Sequence, residues 1–150
     1  LKLLFTNEES IEESDRANII FHSGLSAFEL EDVIIDQDFK KALRTIGFLR
    51  EHDRQNSAPL IWVIAKIINS CLESLQSASP KAALIKSGVW SSKISQYLNL
   101  IQHAASEDFE RLSEEMLRLD LANKGMVNVD IWEQIERIIL QLRDAAQPHH

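Results

Sequence analysis

Apolar residues recur along this chain at spacings of three and four, the period of a helix, and no stretch shows the strict alternation of a half-buried strand. The segment "DQDFKKALRTIGFLREHD" places Phe39, Leu43, Ile46 and Leu49 on one helical face. From Leu60 to Leu75 the polar positions Lys66, Asn69, Ser70 and Glu73 fall on one narrow stripe, and aliphatic residues cover most of the remaining circumference. Such a helix is buried on more than one side, in its own core or partly against a neighbouring chain. The run "VWSSKISQYLNLIQHA" sets Trp90, Ile94, Tyr97, Leu98 and Ile101 along one side, and "NVDIWEQIERIILQLRD" aligns Ile131, Trp132, Ile135, Ile138, Ile139 and Leu142.

The punctuation agrees with this period. Thr6 with Glu9, and Ser26 with Glu29, have the spacing of reciprocal helix caps, and Ser57 and Ser106 are predicted caps for later helices. Pro59 and Pro80 suit first helical turns, where a missing N–H is harmless. Gly88 and Gly125 are predicted stops, because glycine accepts the left-handed conformation that ends a helix. With only 4 Gly and 3 Pro in 150 residues, sharp turns are too few for a many-stranded sheet. The expectation is an all-α compact helical bundle of about seven helices, with the helices on either side of Gly125 packed as a pair.

Composition narrows the class of function. Hydrophobic residues at 45% and charged residues at 26% are enough to bury a core, which excludes a largely disordered chain. A net charge of −7 argues against a protein that grips duplex DNA unaided, since phosphate neutralisation needs clustered Lys and Arg. The acidic run Glu8, Glu9, Glu12 and Glu13 is expected to be a solvated face at a helix start. A single cysteine, Cys71, inside an apolar run reads as a buried thiol in a reducing, cytoplasmic setting. No apolar run approaches the ~20 residues of a membrane span, and no leader pattern opens the chain. Leu1 at the start and "QPHH" at the end read as an excised fragment with a trimmed tag, so residues 147–150 are expected to be a disordered tail.

Catalytic chemistry finds no footing in this pattern. Adjacent acids such as Glu114 and Glu115 point about 100° apart on a helix and do not converge. The internal histidines, His22, His52 and His103, lack the spacing of a helical metal pair, so no metal site is expected. No phosphate-cradling glycine loop and no serine elbow occur, so neither an enzyme nor a cofactor site is expected. Trp62, Trp90 and Trp132 each stand at or near the start of an apolar helix. Core packing at helix junctions is the preferred reading for each, and contact with another subunit is the sharper one.

Over roughly Thr6 to Leu142 the order of elements resembles the C-terminal part of the delta subunit of the bacterial DNA polymerase III clamp loader. The similar stretches are "FELEDVIIDQDFKKALRTIGFL", "PLIWVIAKIINSCLESL" with Ala65 and Lys66, and "SGVWSSKISQYL" with Val89 and Trp90. They end with Asp120, Lys124 and Gly125 in "LDLANKG" and Trp132, Ile135 and Glu136 in "WEQIERIIL". The helix after the proline is poorer in basic residues than the family's, with only Lys66 before Glu73.

The resemblance implies the end of a helical lid domain at residues 1–22 and a helical collar domain at 23–146, through which clamp-loader subunits associate. Such a domain is non-catalytic. It helps load the sliding clamp onto DNA during replication by holding one subunit beside its neighbours. Contact with the sliding clamp belongs to an N-terminal domain outside this sequence, and DNA polymerase activity belongs to the assembled holoenzyme. No direct nucleic-acid or membrane binding is implied. Trp62, Trp90, Asp120, Trp132 and Glu136 are the structural or interface candidates, with Asp120 and Glu136 as polar fixtures that order helix ends or set register. The alternative is a stand-alone acidic helical binding or immunity-type protein, using Glu8 to Asp15 and the run Glu107, Asp108, Glu110, Glu114 and Glu115 as its contact face.

Overall fold

The computed structural model describes residues 25–148. Among them the chain forms seven α-helices and no strand, as the period of the apolar positions requires. In chain order they are α1 (Leu25–Ile35), α2 (Phe39–His52), α3 (Ala58–Leu75), α4 (Pro80–Lys86), α5 (Ile94–Leu100), α6 (Ser106–Asn123) and α7 (Ile131–Ala146), with a 3₁₀ turn at Ser91–Lys93 leading into α5. The helix expected from Thr6, its acidic run, the segment 1–22, His149 and His150 lie outside the described residues.

Helix α3 is the centre of the bundle. It packs against α1, α4 and α6, while α7 closes the far side against α6 and α2. Leu60, Ile61, Val63, Ile64, Ile67, Ile68 and Cys71 are all buried on it along one broad face, while Trp62, Asn69 and Glu73 on the opposite side are exposed, so the expected burial on more than one side is corrected to about half of the helix. Full burial of each such aliphatic side chain contributes about 1.5–3 kcal/mol, so this element is one of the main sources of hydrophobic stabilisation. By length and composition α3 is also the one described helix that reaches the lower limit of a membrane span. Its packing against three neighbours accounts for the same composition as a core helix. Burial pushes the Cys71 thiol well above its ordinary range, so it stays protonated and packs as a small apolar group.

The remaining helices bury the predicted stripes. Phe39, Ala42, Ile46 and Leu49 carry α2 into the core, with Leu43 packed at its margin. Trp132, Ile135, Ile138, Ile139 and Leu142 do the same for α7.

Gly88 and Gly125 take φ of +93° and +78° just past α4 and α6, as expected of stops. At the second stop, Met126 N–H closes back on Leu121 O at 2.9 Å.

The caps differ from expectation at three serines. Ser26 lies within α1 rather than before it, and Ser106 is the first residue of α6, with Ala105 at the cap position. Ser57 does stand before α3, but its hydroxyl is buried and donates to Asn123 Oδ1 at 3.1 Å, joining α3 to the end of α6. The capping side chains are aspartates. Asp38 accepts from Lys41 N–H at 3.2 Å and Asp130 from Glu133 N–H at 3.1 Å.

Candidate functional site

A carboxylate on the buried side of α1 organises a surface where charge and two exposed tryptophans coincide. Glu31 lies among Leu30, Ile34 and Ile35 and is only 3% exposed. A bare charge there would be expensive, and three groups from three other elements compensate it. Tyr97 of α5 donates its hydroxyl to Glu31 Oε2 at 2.6 Å, and Lys93 of the 3₁₀ turn donates to Oε1 at 3.0 Å. Lys66 of α3 places its ammonium 3.5 Å from Oε2. Lys93 also reaches Asp32 Oδ1 at 3.1 Å.

The protonation states follow from this geometry. Burial pushes the Glu31 carboxyl up, but the hydrogen bonds from Tyr97 and Lys93 and the charges of Lys66 and Lys93 outweigh burial and hold it below its ordinary value. Burial alone would lower Lys93, yet its bonds to Glu31 and Asp32 raise it instead. Burial, then the bond to Glu31, raises the Tyr97 phenol far above its usual range, so it remains a donor. The cluster is therefore a set of two lysines, two carboxylates and one hydroxyl that ties together α1, α3, the 3₁₀ turn and α5.

Over each lysine sits a tryptophan. The Lys66 ammonium lies 5.9 Å from the centroid of Trp62 and that of Lys93 lies 5.5 Å from Trp90, both within cation–π range. Trp62 is 59% exposed and Trp90 71% exposed. The expectation that these two rings fill core junctions is thus corrected. Trp62 stands on the outward stripe of α3 with Lys66, Asn69 and Glu73, and Trp90 lies just after the buried Val89, where the chain has left α4 and not yet entered the turn.

The other predicted site residues do not join this cluster. Trp132 is buried, and its indole N–H donates to the carbonyl of Arg54 at 2.9 Å, so core packing holds for this ring alone. Glu136 accepts from Arg50 at 3.1 Å, and the same guanidinium lies 3.7 Å from Asp130, so Glu136 fastens α7 to α2. Asp120 pairs with Lys124 at 2.8 Å one turn away on its own helix. It secures the C-terminal end of α6 and does not approach Trp132 through any bond.

Glu31, Lys93 and Tyr97 were not expected as site residues. Glu31 carried a signal nonetheless, since it falls on the buried stripe of α1 with Ile34 and Ile35 three and four residues on.

Elsewhere the chemistry is sparse. A cleft of about 310 Å³ between α6 and α7 is lined by Asp108, Arg111, Glu115 and Asp144 among others. Its acids are engaged, Asp108 with Arg111, Glu115 with Gln134 and Asp144 with Arg143. Among the described residues no three His, Cys, Asp or Glu side chains converge as a metal ion would need. No family model, no curated protein and no solved structure matches this chain.

Proposed function

We propose that the chain is a non-catalytic subunit-association domain, of the collar type suggested by its resemblance to the clamp-loader delta subunit, acting in the cytoplasm during DNA replication. One observation carries this reading. Trp62 and Trp90 lie largely in water, yet each is held beside a lysine anchored on one buried carboxylate. Large rings exposed on a rigid base lose little conformational freedom when a partner covers them, and tryptophan is enriched among residues that dominate interfaces. A standard interface removes about 800 Å² from each side, and the two exposed rings, one on α3 and one ahead of the 3₁₀ turn, would be its anchors.

The charge distribution also favours an apolar contact. Glu110 and Glu115, in the acidic run of α6, accept hydrogen bonds from Gln76 and Gln134 of neighbouring helices, and Asp108 is paired with Arg111. A binder relying on that run would have to break such bonds.

The test is size-exclusion chromatography with light scattering on the chain alone and mixed with the collar regions of other clamp-loader subunits, at low and high salt. A mixed complex that survives high salt is the expected result. A complex lost at high salt would favour the acidic-face binder. Absence of a complex at both salts would remove the association reading.

A further inference from the structure

We infer that the Trp62–Lys66–Lys93–Trp90 face takes a protein helix that presents a carboxylate between two apolar side chains. This deepens the association reading and rests on it for the identity of the neighbour, though not for the chemistry of the face. The argument is one of complementarity. The counter-charge of Lys66 lies beneath the surface, on Glu31, with both carboxylate oxygens already occupied from within, while Lys93 is shared between Glu31 and the exposed Asp32. The cations lie nearer the solvent, with side chains 20% exposed for Lys93 and 27% for Lys66.

Lys93 is satisfied twice over, by Glu31 and Asp32. Lys66 is not. An ammonium has three donors, and among the described residues this one has a single ion-pair partner, 3.5 Å away. It stands beside Trp62, held in place and short of acceptors. An incoming carboxylate completes it with a charge-assisted bond, while the rings on either side receive aliphatic groups.

A nucleic-acid strand would also stack on indoles and seek cations. It suits the face less well, because two partly neutralised lysines on a chain of net charge −7 offer little to a run of phosphates.

The experiment uses the chain's three tryptophans, which give three indole N–H resonances. The whole chain, labelled with nitrogen-15, is titrated with a capped helical peptide of Ala and Gln carrying Leu-x-x-x-Glu-x-x-Leu. The Trp62 and Trp90 signals should move saturably, and that of Trp132, bonded to Arg54, should stay and report an intact fold. Replacing the peptide's Glu by Gln should weaken binding about tenfold. In a Lys66→Met chain the two peptides should bind alike.

Immobile Trp62 and Trp90 signals, or equal binding of both peptides to the unmodified chain, would overturn the inference. So would an oligothymidylate that moves the same signals at lower concentration. The association reading fails separately. A mixed collar complex indifferent to Trp62→Ala with Lys66→Met removes this face and keeps the reading, whereas peptide binding without any mixed complex keeps the face and removes the reading.

Discussion

Replacing Glu31 by Gln isolates the charge at the centre of the face while leaving its shape. The amide oxygen can still accept from Tyr97, whose hydroxyl sits 2.6 Å from Glu31 Oε2. The amide NH2 then meets Lys93, which donates to the other oxygen at 3.0 Å, so donor faces donor. Lys66, 3.5 Å from Oε2, loses its counter-charge as well. Loss of one charge-assisted hydrogen bond at a buried acceptor is worth about 1.5–3 kcal/mol. Because Gln keeps one good bond, we expect a loss of about 2 kcal/mol, and a fall in Tm of about 4–8 °C for a domain of this size.

The assay is urea unfolding of both chains across pH. The Glu31 carboxyl is held below its unfolded value of about 4.3. Its contribution is therefore present in full above that value and lost as pH falls through the lower, folded one. The gap between the two chains should be constant from neutral pH to about 5 and close below about pH 4. A gap under about 0.5 kcal/mol at neutral pH, or one that persists in acid, would refute the account of Glu31 as a charged anchor.

Three further outcomes follow from the same packing. Trp132→Phe keeps a buried ring but orphans the Arg54 carbonyl, and should cost about 1 kcal/mol in urea unfolding. Gly125→Ala places a Cβ at φ +78° and should lower stability by about 1–2 kcal/mol in a thermal melt, though nothing blocks the side chain itself. Asp120→Lys breaks an exposed pair one turn long. It should change stability by no more than about 1 kcal/mol and leave partner affinity unaltered, and a larger effect on either in parallel melting and binding assays would restore Asp120 as a fixture of register.

How much of this was legible depended on the kind of signal. Stops at Gly88 and Gly125, the proline-started helices and the buried stripes of α2, α3 and α7 are written in local periods and backbone preferences. They appear where the pattern put them. The exposure of Trp62 was legible too but overridden by residue type. It precedes Lys66, Asn69 and Glu73 by four, seven and eleven residues, the spacing of the outward stripe, while an indole in an apolar helix invites the opposite assignment. Trp90 had no such signal, because it belongs to no helix and periodicity is silent outside one. The partners of Glu31 are set by how α1 and α5 lie across α3, and no local pattern encodes that arrangement. The serines expected to cap α1, α3 and α6 do not, while Asp38 and Asp130 cap α2 and α7, because side-chain position decides a cap and residue type alone does not.

The Glu31 cluster also makes the presented surface conditional on a completed fold. Its members come from residues 31, 66, 93 and 97, so the lysines are pinned only after the first described helix has docked on the core helix and the later turn has come round to meet both. A chain stalled before that step would carry both indoles but hold neither ammonium in place between them. If a partner reads this face as proposed, its choice would double as inspection, since nascent or partly unfolded copies would lack the arrangement it recognises.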